Sequence, residues 1–266
     1  MSFAVCRNGT LEYLQSSLLE GTRHCFSTRY GGVSEGPLFS LNLGTHRGDD
    51  PRNVQKNYDI LCGAIGVDPG SLVFARQVHS DVVFRAGREN CGEGLLRPVP
   101  EVRDALITNE PEVALVVFSA DCAPVLLYDP VQKAIGAAHS GWRGTAQDIA
   151  ARTVQAMQER FGCRPADIRA AIGPSIGPCC FETDGDVPEA MCATFGEAAW
   201  QAITRRGEKF FVDNRALIRL GLLRAGVPEN QMDLSADCTA CQPERFWSHR
   251  RAGAARGALA AIISLT

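Results

Sequence analysis

The sequence predicts an α+β fold in which helices cover a mixed β-sheet, and two observations predict it. Strand-like and helix-like runs are interleaved without the strict strand–helix–strand alternation of a parallel α/β protein. Neither GxGxxG nor GxxxxGK[ST] occurs, so a nucleotide-binding Rossmann or P-loop core lacks its phosphate loop. The 266 residues are expected to form one catalytic domain over 1–266, and 45% hydrophobic with 21% charged residues is ordinary for a globular chain.

Three helices announce themselves by their ends. In DDPRNVQKNYDILCGAIG, Asp50 caps, Pro51 takes the first helical position, Val54, Tyr58, Leu61 and Ile65 share a face, and Gly66 stops the helix. In GTAQDIAARTVQAMQERFG, Thr145 is read as the cap with Asp148 three residues on. Ile149, Val154, Met157 and Phe161 form the buried stripe, and Gly162 ends it. In VDNRALIRLGLLRAGVP, Asp213 caps, Leu217, Leu220 and Leu223 pack, and Gly226 and Pro228 terminate. β-Branched runs between turn signals predict strands at 71–74, 113–118, 125–128, 134–138, 168–172 and 259–265, with a hairpin turn at Asp129 and Pro130. Residues 85–100, RAGRENCGEGLLRPVP, read as a flexible surface loop.

Several function classes lose support from bulk properties. A net charge of −3 and a pI near 6.0 give no electrostatic footprint for nucleic acid or a membrane surface. No stretch of about 18 apolar residues is present, and MSFAVCRNGTLEYLQ lacks the features of a targeting segment. The 11 cysteines, an odd number, fit a reducing compartment with thiols in the core or as ligands better than a disulfide framework. The expectation is a cytoplasmic enzyme with a small-molecule substrate, a monomer or small homo-oligomer.

Chemistry concentrates at a few strand ends. Of five histidines, His79 follows a predicted strand in FARQVHS, and His139 ends one in AAHSGWRGT; Cys122 links two strands in FSADCAP. Two imidazoles and a thiolate suit zinc, and three protein ligands leave one position open, as in catalytic zinc sites. The spacings of 43 and 17 residues match no standard zinc motif, so separate polar residues at strand ends remain the alternative. HSGWRGT runs into a helix start, where Arg143 either grips a phosphate or carboxylate or makes a surface salt bridge. GPSIGPCCFE forces a tight loop presenting Cys179, Cys180 and Glu182; a thiol there is either a nucleophile or a buried loop residue. Cys238 and Cys241 form one CxxC without a correctly spaced second pair, and the deaminase pattern H-x-E is missing. SHRR, residues 248–251, is a basic patch or a solvated turn.

Together the segments FSTRYGGVSEGPLFSLNLGTHRGDD, RQVHS, DALIT, ADCAPVLLYDP, AAHSGWRGT, IGPSIGPCCFE, DCTAC and FWSHRRAGAARG resemble the YfiH-like family, also called the laccase-domain or multicopper polyphenol oxidase family. They run from about residue 24 to the end in the expected order. The resemblance implies layered mixed β-sheets covered by helices, as in the bacterial toxin-like cysteine hydrolases, and zinc held by His79, Cys122 and His139. The family's usual CYEV reads CFET here, so Phe181 replaces a phenol.

The implied activity is phosphorolysis of purine nucleosides (adenosine, inosine, methylthioadenosine), with adenosine deamination as a side activity. Arg143, Asp121, Cys180 and Glu182 are expected to serve catalysis, with Arg143 on phosphate and Asp121 or Glu182 as the acid. Arg29, Asn42 beside Leu41, Ser140, His249 and Arg250 stand in the matching segments and are expected to face substrate. A multicopper laccase centre needs about ten histidines, and this chain has five. Copper(II) can still replace zinc and support weak polyphenol oxidation. The alternatives are a peptidoglycan-precursor editing hydrolase that removes an amino acid from a muramyl nucleotide, with or without Cys122 as a nucleophile paired with His139, and a zinc-stabilised interaction module.

Overall fold

Apolar runs such as APVLLYD, AIGAAHS and LAAIISL are buried at every position. A strand reads this way when both faces of its sheet are covered, and the computed structural model, which describes residues 3–266, shows how. In chain order its strands are β1 (Phe3–Asn8), β2 (Leu11–Ser16), β3 (Thr22–Ser27), β4 (Leu72–Phe74), β5 (Val83–Arg85), β6 (Ala105–Thr108), β7 (Ala114–Ser119), β8 (Ala123–Asp129), β9 (Ala134–Ser140), β10 (Arg169–Ile172), β11 (Glu182–Thr183), β12 (Ile203–Arg206), β13 (Lys209–Val212), β14 (Met232–Leu234) and β15 (Leu259–Leu265). The helices are α1 (Pro51–Ile65), α2 (Trp142–Ala146), α3 (Ile149–Phe161), α4 (Asp186–Phe195), α5 (Asn214–Arg224) and α6 (His249–Ala252).

Two six-stranded sheets, ordered β1-β2-β3-β15-β7-β4 and β14-β10-β8-β9-β6-β5, carry the fold; β11-β13-β12 form a small third sheet. Both large sheets are mixed: β4/β7, β5/β6 and β10/β14 pair in parallel, the rest antiparallel. The sheets pack face to face through Phe26, Leu115, Val117 and Ile263 on one side and Leu106, Leu126, Ile135 and Ala137 on the other. Alternate residues point outward. Val116 and Ile262 meet α1, and Val125 and Leu127 meet α3 and α5. The result is a helix–sheet–sheet–helix stack, the α+β architecture expected.

The first helix is built as expected. Asp50 accepts a hydrogen bond from the Arg52 amide, and Gly66 closes it at φ +71°. The second differs. Thr145 does not cap; its buried hydroxyl bonds Ser140 Oγ at 2.8 Å inside the short helix α2. Asp148 at φ +55° interrupts the helix, and α3 starts at Ile149. In the third, Asp213 accepts from the Ala216 amide, but the buried face is Leu217, Ile218 and Leu222. Leu220 and Leu223 are only half-buried, because Leu217, Ile218, Gly221 and Leu222 follow the 3.6-residue period more closely. The β8–β9 turn is present, with Asp129 Oδ1 accepting from the Val131 and Gln132 amides.

Residues 85–100 are not a detached surface loop. Buried Glu93 pairs with fully buried Arg103, whose Nε donates to the Phe74 carbonyl at 3.1 Å. Gly94, at φ +99°, lies so close to Phe74 that a Cβ there would sit 2.3 Å from its ring. The segment is pressed onto the first sheet and forms a wall of the cleft described next. Among the described residues, no helix is long and apolar enough to cross a membrane.

Candidate metal centre

His79, Cys122 and His139 reach one point from three separate segments. His139 is on β9, Cys122 between β7 and β8, and His79 in the loop after β4. One donor atom of each lies within 4.8 Å of the others. Cys122 Sγ is 3.7 Å from His79 Nε2, and the two imidazole centroids are 4.9 Å apart at 72°. Tetrahedral zinc spaces a thiolate and an imidazole nitrogen by roughly 3.5 Å, so the donor set and its spacing fit that ion. Gly141 makes room: a Cβ there would meet His79 Cδ2 at 2.7 Å and Cys122 Sγ at 2.9 Å.

Asp104, fully buried at the start of β6, organises this arrangement. Its Oδ1 accepts from the His79 amide (3.0 Å) and faces His139 Nδ1 (2.9 Å); Oδ2 accepts from the amides of Val78 and Ser80 and the Ser80 hydroxyl. One carboxylate thus holds the His79 backbone at φ +65° and orients His139 so that Nε2 faces the ligand point. Gln77 ties the same loop to β7: it donates to the Phe118 carbonyl (2.9 Å) and accepts from the Phe118 amide (2.6 Å).

The three groups set one another's charge. Burial alone would raise the Cys122 thiol, but His139 and His79 beside it outweigh burial and bring it down to about 6. Burial alone would lower His139, yet Cys122 and Asp104 outweigh it and raise it to about 9. Burial opposes the charge on Asp104 as well, and His139 with the Val78 and Ser80 donors still holds it well below the usual carboxylate range. Each charge thus favours the other: His139 draws the Cys122 thiol down, and Cys122 draws the His139 imidazole up.

The trio opens onto a cleft of about 1000 Å³. Arg47, Arg76, Arg97 and Arg256 line it, and no residue of its lining is acidic among the described residues. Arg256 is the telling one. Its buried Nε has no partner, and burial together with neighbouring Arg47 pulls its guanidinium down to about 10. Phe118 and Leu95 add an apolar wall.

The other residues expected at the site fall elsewhere. Arg143 is exposed, stacks over Trp142 at 4.2 Å and does not line the cleft. Its helix, α2, is five residues long, so the long helix start on which the phosphate reading relied is absent. Asp121 adjoins Cys122, but its carboxylate is occupied by the Thr239 hydroxyl (2.6 Å) and the Arg250 amide (2.7 Å). Glu182 is exposed on β11 and outside the lining; half-buried Cys180 is also outside it and instead joins a cluster of four cysteines. Arg29 spends its guanidinium on the Phe39 and Pro243 carbonyls and the Trp247 face. Asn42 is buried, accepting from the Gly44 and Ala258 amides, and so shapes the cleft wall from behind; Leu41 is core. Ser140 is fully buried against Thr145, His249 Nδ1 faces the Gly253 carbonyl, and Arg250 donates to the Cys180 and Glu182 carbonyls. Sequence reasoning passed over Asp104 and the four cleft arginines, although DALIT, GTHRGDD and AGAARG stood among the matching segments.

Residues 23–266 match the family model described as "Multi-copper polyphenol oxidoreductase laccase". The chain belongs to this YfiH-like, laccase-domain family. It is 35% identical over 242 residues to purine nucleoside phosphorylase YlmD of Bacillus subtilis, covering 90% of this chain and 87% of that protein. To purine nucleoside phosphorylase YfiH of Escherichia coli it is 37% identical over 233 residues, covering 87% and 89%. The crystal structure of YlmD from Geobacillus stearothermophilus superposes with a TM-score of 0.92 at 33% identity and covers 98% of each chain. In this laccase-domain chain the fold is therefore the family's, and candidate metal-ligating groups lie at the cleft.

Proposed function

We propose that this chain is a zinc-dependent purine nucleoside phosphorylase, cleaving adenosine, inosine and methylthioadenosine with phosphate. The observation that carries the reading is the Arg256 guanidinium: a partly buried cation with an unmet donor, beside Arg47, in the same acid-free cleft as the His79–Cys122–His139 trio. An oxyanion with several acceptors is what such a pair takes up. The relatives' printed names supply the reaction class.

His79, Cys122 and His139 would hold the zinc, with Asp104 orienting His139 and fixing the His79 loop. Bound there, the ion would supply Lewis-acid polarisation. Arg47 and Arg256 neutralise phosphate and aim it at the anomeric carbon as the glycosidic bond loosens. Phe118 and Leu95 receive the flat face of the purine and exclude water, favouring phosphorolysis over hydrolysis. His46, a further imidazole in the lining, is the side chain offered to the departing base. The proposal includes adenosine deamination as a side activity of the same cleft. All eleven thiols are free, which suits a reducing compartment such as the cytoplasm. The test is release of hypoxanthine from inosine by purified protein. Release should require phosphate and vanish in Cys122→Ala; release equal in the two proteins rejects the assignment.

A second reading has one observation behind it. Cys122, His139 and Asp104 also form a thiol–imidazole–carboxylate relay of the kind that serves nucleophilic acyl transfer. Chelation discriminates: a hydrolase built on the relay keeps its activity and forms an acyl-cysteine, whereas the phosphorylase loses activity and regains it with zinc.

A further inference from the structure

Four cysteines outside the cleft also meet. Cys179 and Cys180 come from the tight loop after β10, and Cys238 and Cys241 from the segment after β14. One sulfur of each lies within 4.8 Å of the others. Cys241 Sγ is 3.4 Å from Cys180 Sγ and 3.5 Å from Cys179 Sγ. All four are free thiols. Disulfide sulfurs sit about 2.05 Å apart, whereas a tetrahedral Zn(Cys)4 centre with Zn–S near 2.3 Å spaces them by roughly 3.8 Å. The observed sulfur separations lie close to the second value.

We propose that Cys179, Cys180, Cys238 and Cys241 bind a second zinc ion as a closed tetrathiolate site, separate from the cleft trio. A single CxxC carries too few ligands, and the fold supplies the missing pair as two consecutive cysteines from a distant loop. The surroundings fit a thiolate centre. The Gly177 amide donates to Cys238 Sγ at 3.2 Å, a donor that stabilises metal-bound sulfur. Four thiolates around zinc carry a net charge of −2. The guanidinium groups of Arg250, Arg251 and Arg215 gather there, donating to the carbonyls of Cys180 (2.9 Å), Ala240 (2.6 Å) and Asp237 (3.0 Å). Cys238 is buried while Cys179 and Cys241 are exposed, so the site is anchored on one side and open to incoming metal on the other. Soft all-sulfur donors select zinc over magnesium or calcium. Binding releases the thiol protons to solvent, and no electron transfer is involved.

The role is a clamp. The metal joins the loop after β10 to the segment after β14, and both already touch Asp121. The Ile176 amide donates to its carbonyl at 2.9 Å, and Thr239, between two of the ligands, donates to its carboxylate at 2.6 Å. Asp121, at φ +95°, is the residue before Cys122. The second zinc therefore steadies the turn that presents the cleft thiol.

Metal analysis of the untagged full chain, purified with a thiol reductant and no chelator, tests this. Two zinc ions per chain are expected, falling to one in Cys238→Ser/Cys241→Ser and to one in Cys122→Ala. Should the double variant fail to fold, cobalt(II) substitution of the unaltered chain decides. One of two bound equivalents should show the intense visible bands and strong sulfur-to-cobalt charge transfer of a tetrathiolate. A single zinc abolished by Cys122→Ala overturns the proposal, as does a pair of zinc ions with no tetrathiolate cobalt spectrum.

Discussion

The cleft trio and the cysteine quartet both bring sulfur to a point where a cation fits, yet they differ in every respect that decides what a metal can do. The trio offers three donors of mixed type, its imidazole His139 braced by buried Asp104, and its fourth side faces a cleft lined by four arginines. The quartet offers four thiols, none of which lines that cleft, braced by the Gly177 amide and by arginine-bound carbonyls. Three protein ligands suit a reactive zinc centre, and four soft ligands suit a structural one. On the proposed assignments the chain separates chemistry from reinforcement by donor count, and Asp121 lies between the two regions, with Cys122 on one side and Thr239 on the other.

The sharpest way to break the comparison is to remove a cleft ligand. Cys122→Ala or His139→Ala should lower kcat/KM for inosine by on the order of 10³-fold or more, since the ion's several kcal/mol of transition-state stabilisation go with it. Steady-state phosphorolysis assays check this; retained activity would place the chemistry elsewhere. Next in size is Asp104→Asn. It removes the charge that orients His139 and should weaken cleft zinc by roughly 10–100-fold, read by competition with a chromophoric chelator, while the quartet ion stays bound. Gly141→Ala should act in the same direction, because its Cβ intrudes at 2.7 Å on His79 and 2.9 Å on Cys122. Circular dichroism should show the fold intact.

Acidity sharpens the contrast further. His139, raised to about 9, must give up its proton to coordinate, and Cys122, lowered to about 6, is already a thiolate at neutral pH. Cleft affinity should therefore rise about tenfold per pH unit between 6 and 9, flatten above 9, and fall more steeply below 6. Isothermal titration in two buffers of different ionisation enthalpy counts the proton. The smallest effect is reserved for the anion pair: Arg256→Gln should raise KM for phosphate by about tenfold, the value of one charge-assisted contact, with KM for inosine little changed.

The sequence made some of this legible and hid the rest for physical reasons. α1 was readable to the residue because Asp50, Pro51 and Gly66 mark both ends by local chemistry. The doubly buried strands were readable because they are continuously apolar. β1, exposed at four of six positions, and β12, ITRR, carry too little apolar signal to register. β4, β5 and β14 are only three residues long, and of these only β4 stood out. The break at Asp148 was invisible because a left-handed residue other than glycine leaves no mark in composition. Among functional residues, spacing could not unite His79, Cys122 and His139, and the family resemblance had to. Asp104 was hidden because its role is to accept from backbone amides. The quartet was discounted because the second cysteine pair is supplied by tertiary structure, not by a repeated motif.

A zinc-edge anomalous difference map from crystals of the untagged chain tests the central claim most directly. The account expects a peak in the cleft between His79, Cys122 and His139, and a second among the four cysteines. A map with no density at the trio in crystals grown with zinc would contradict it.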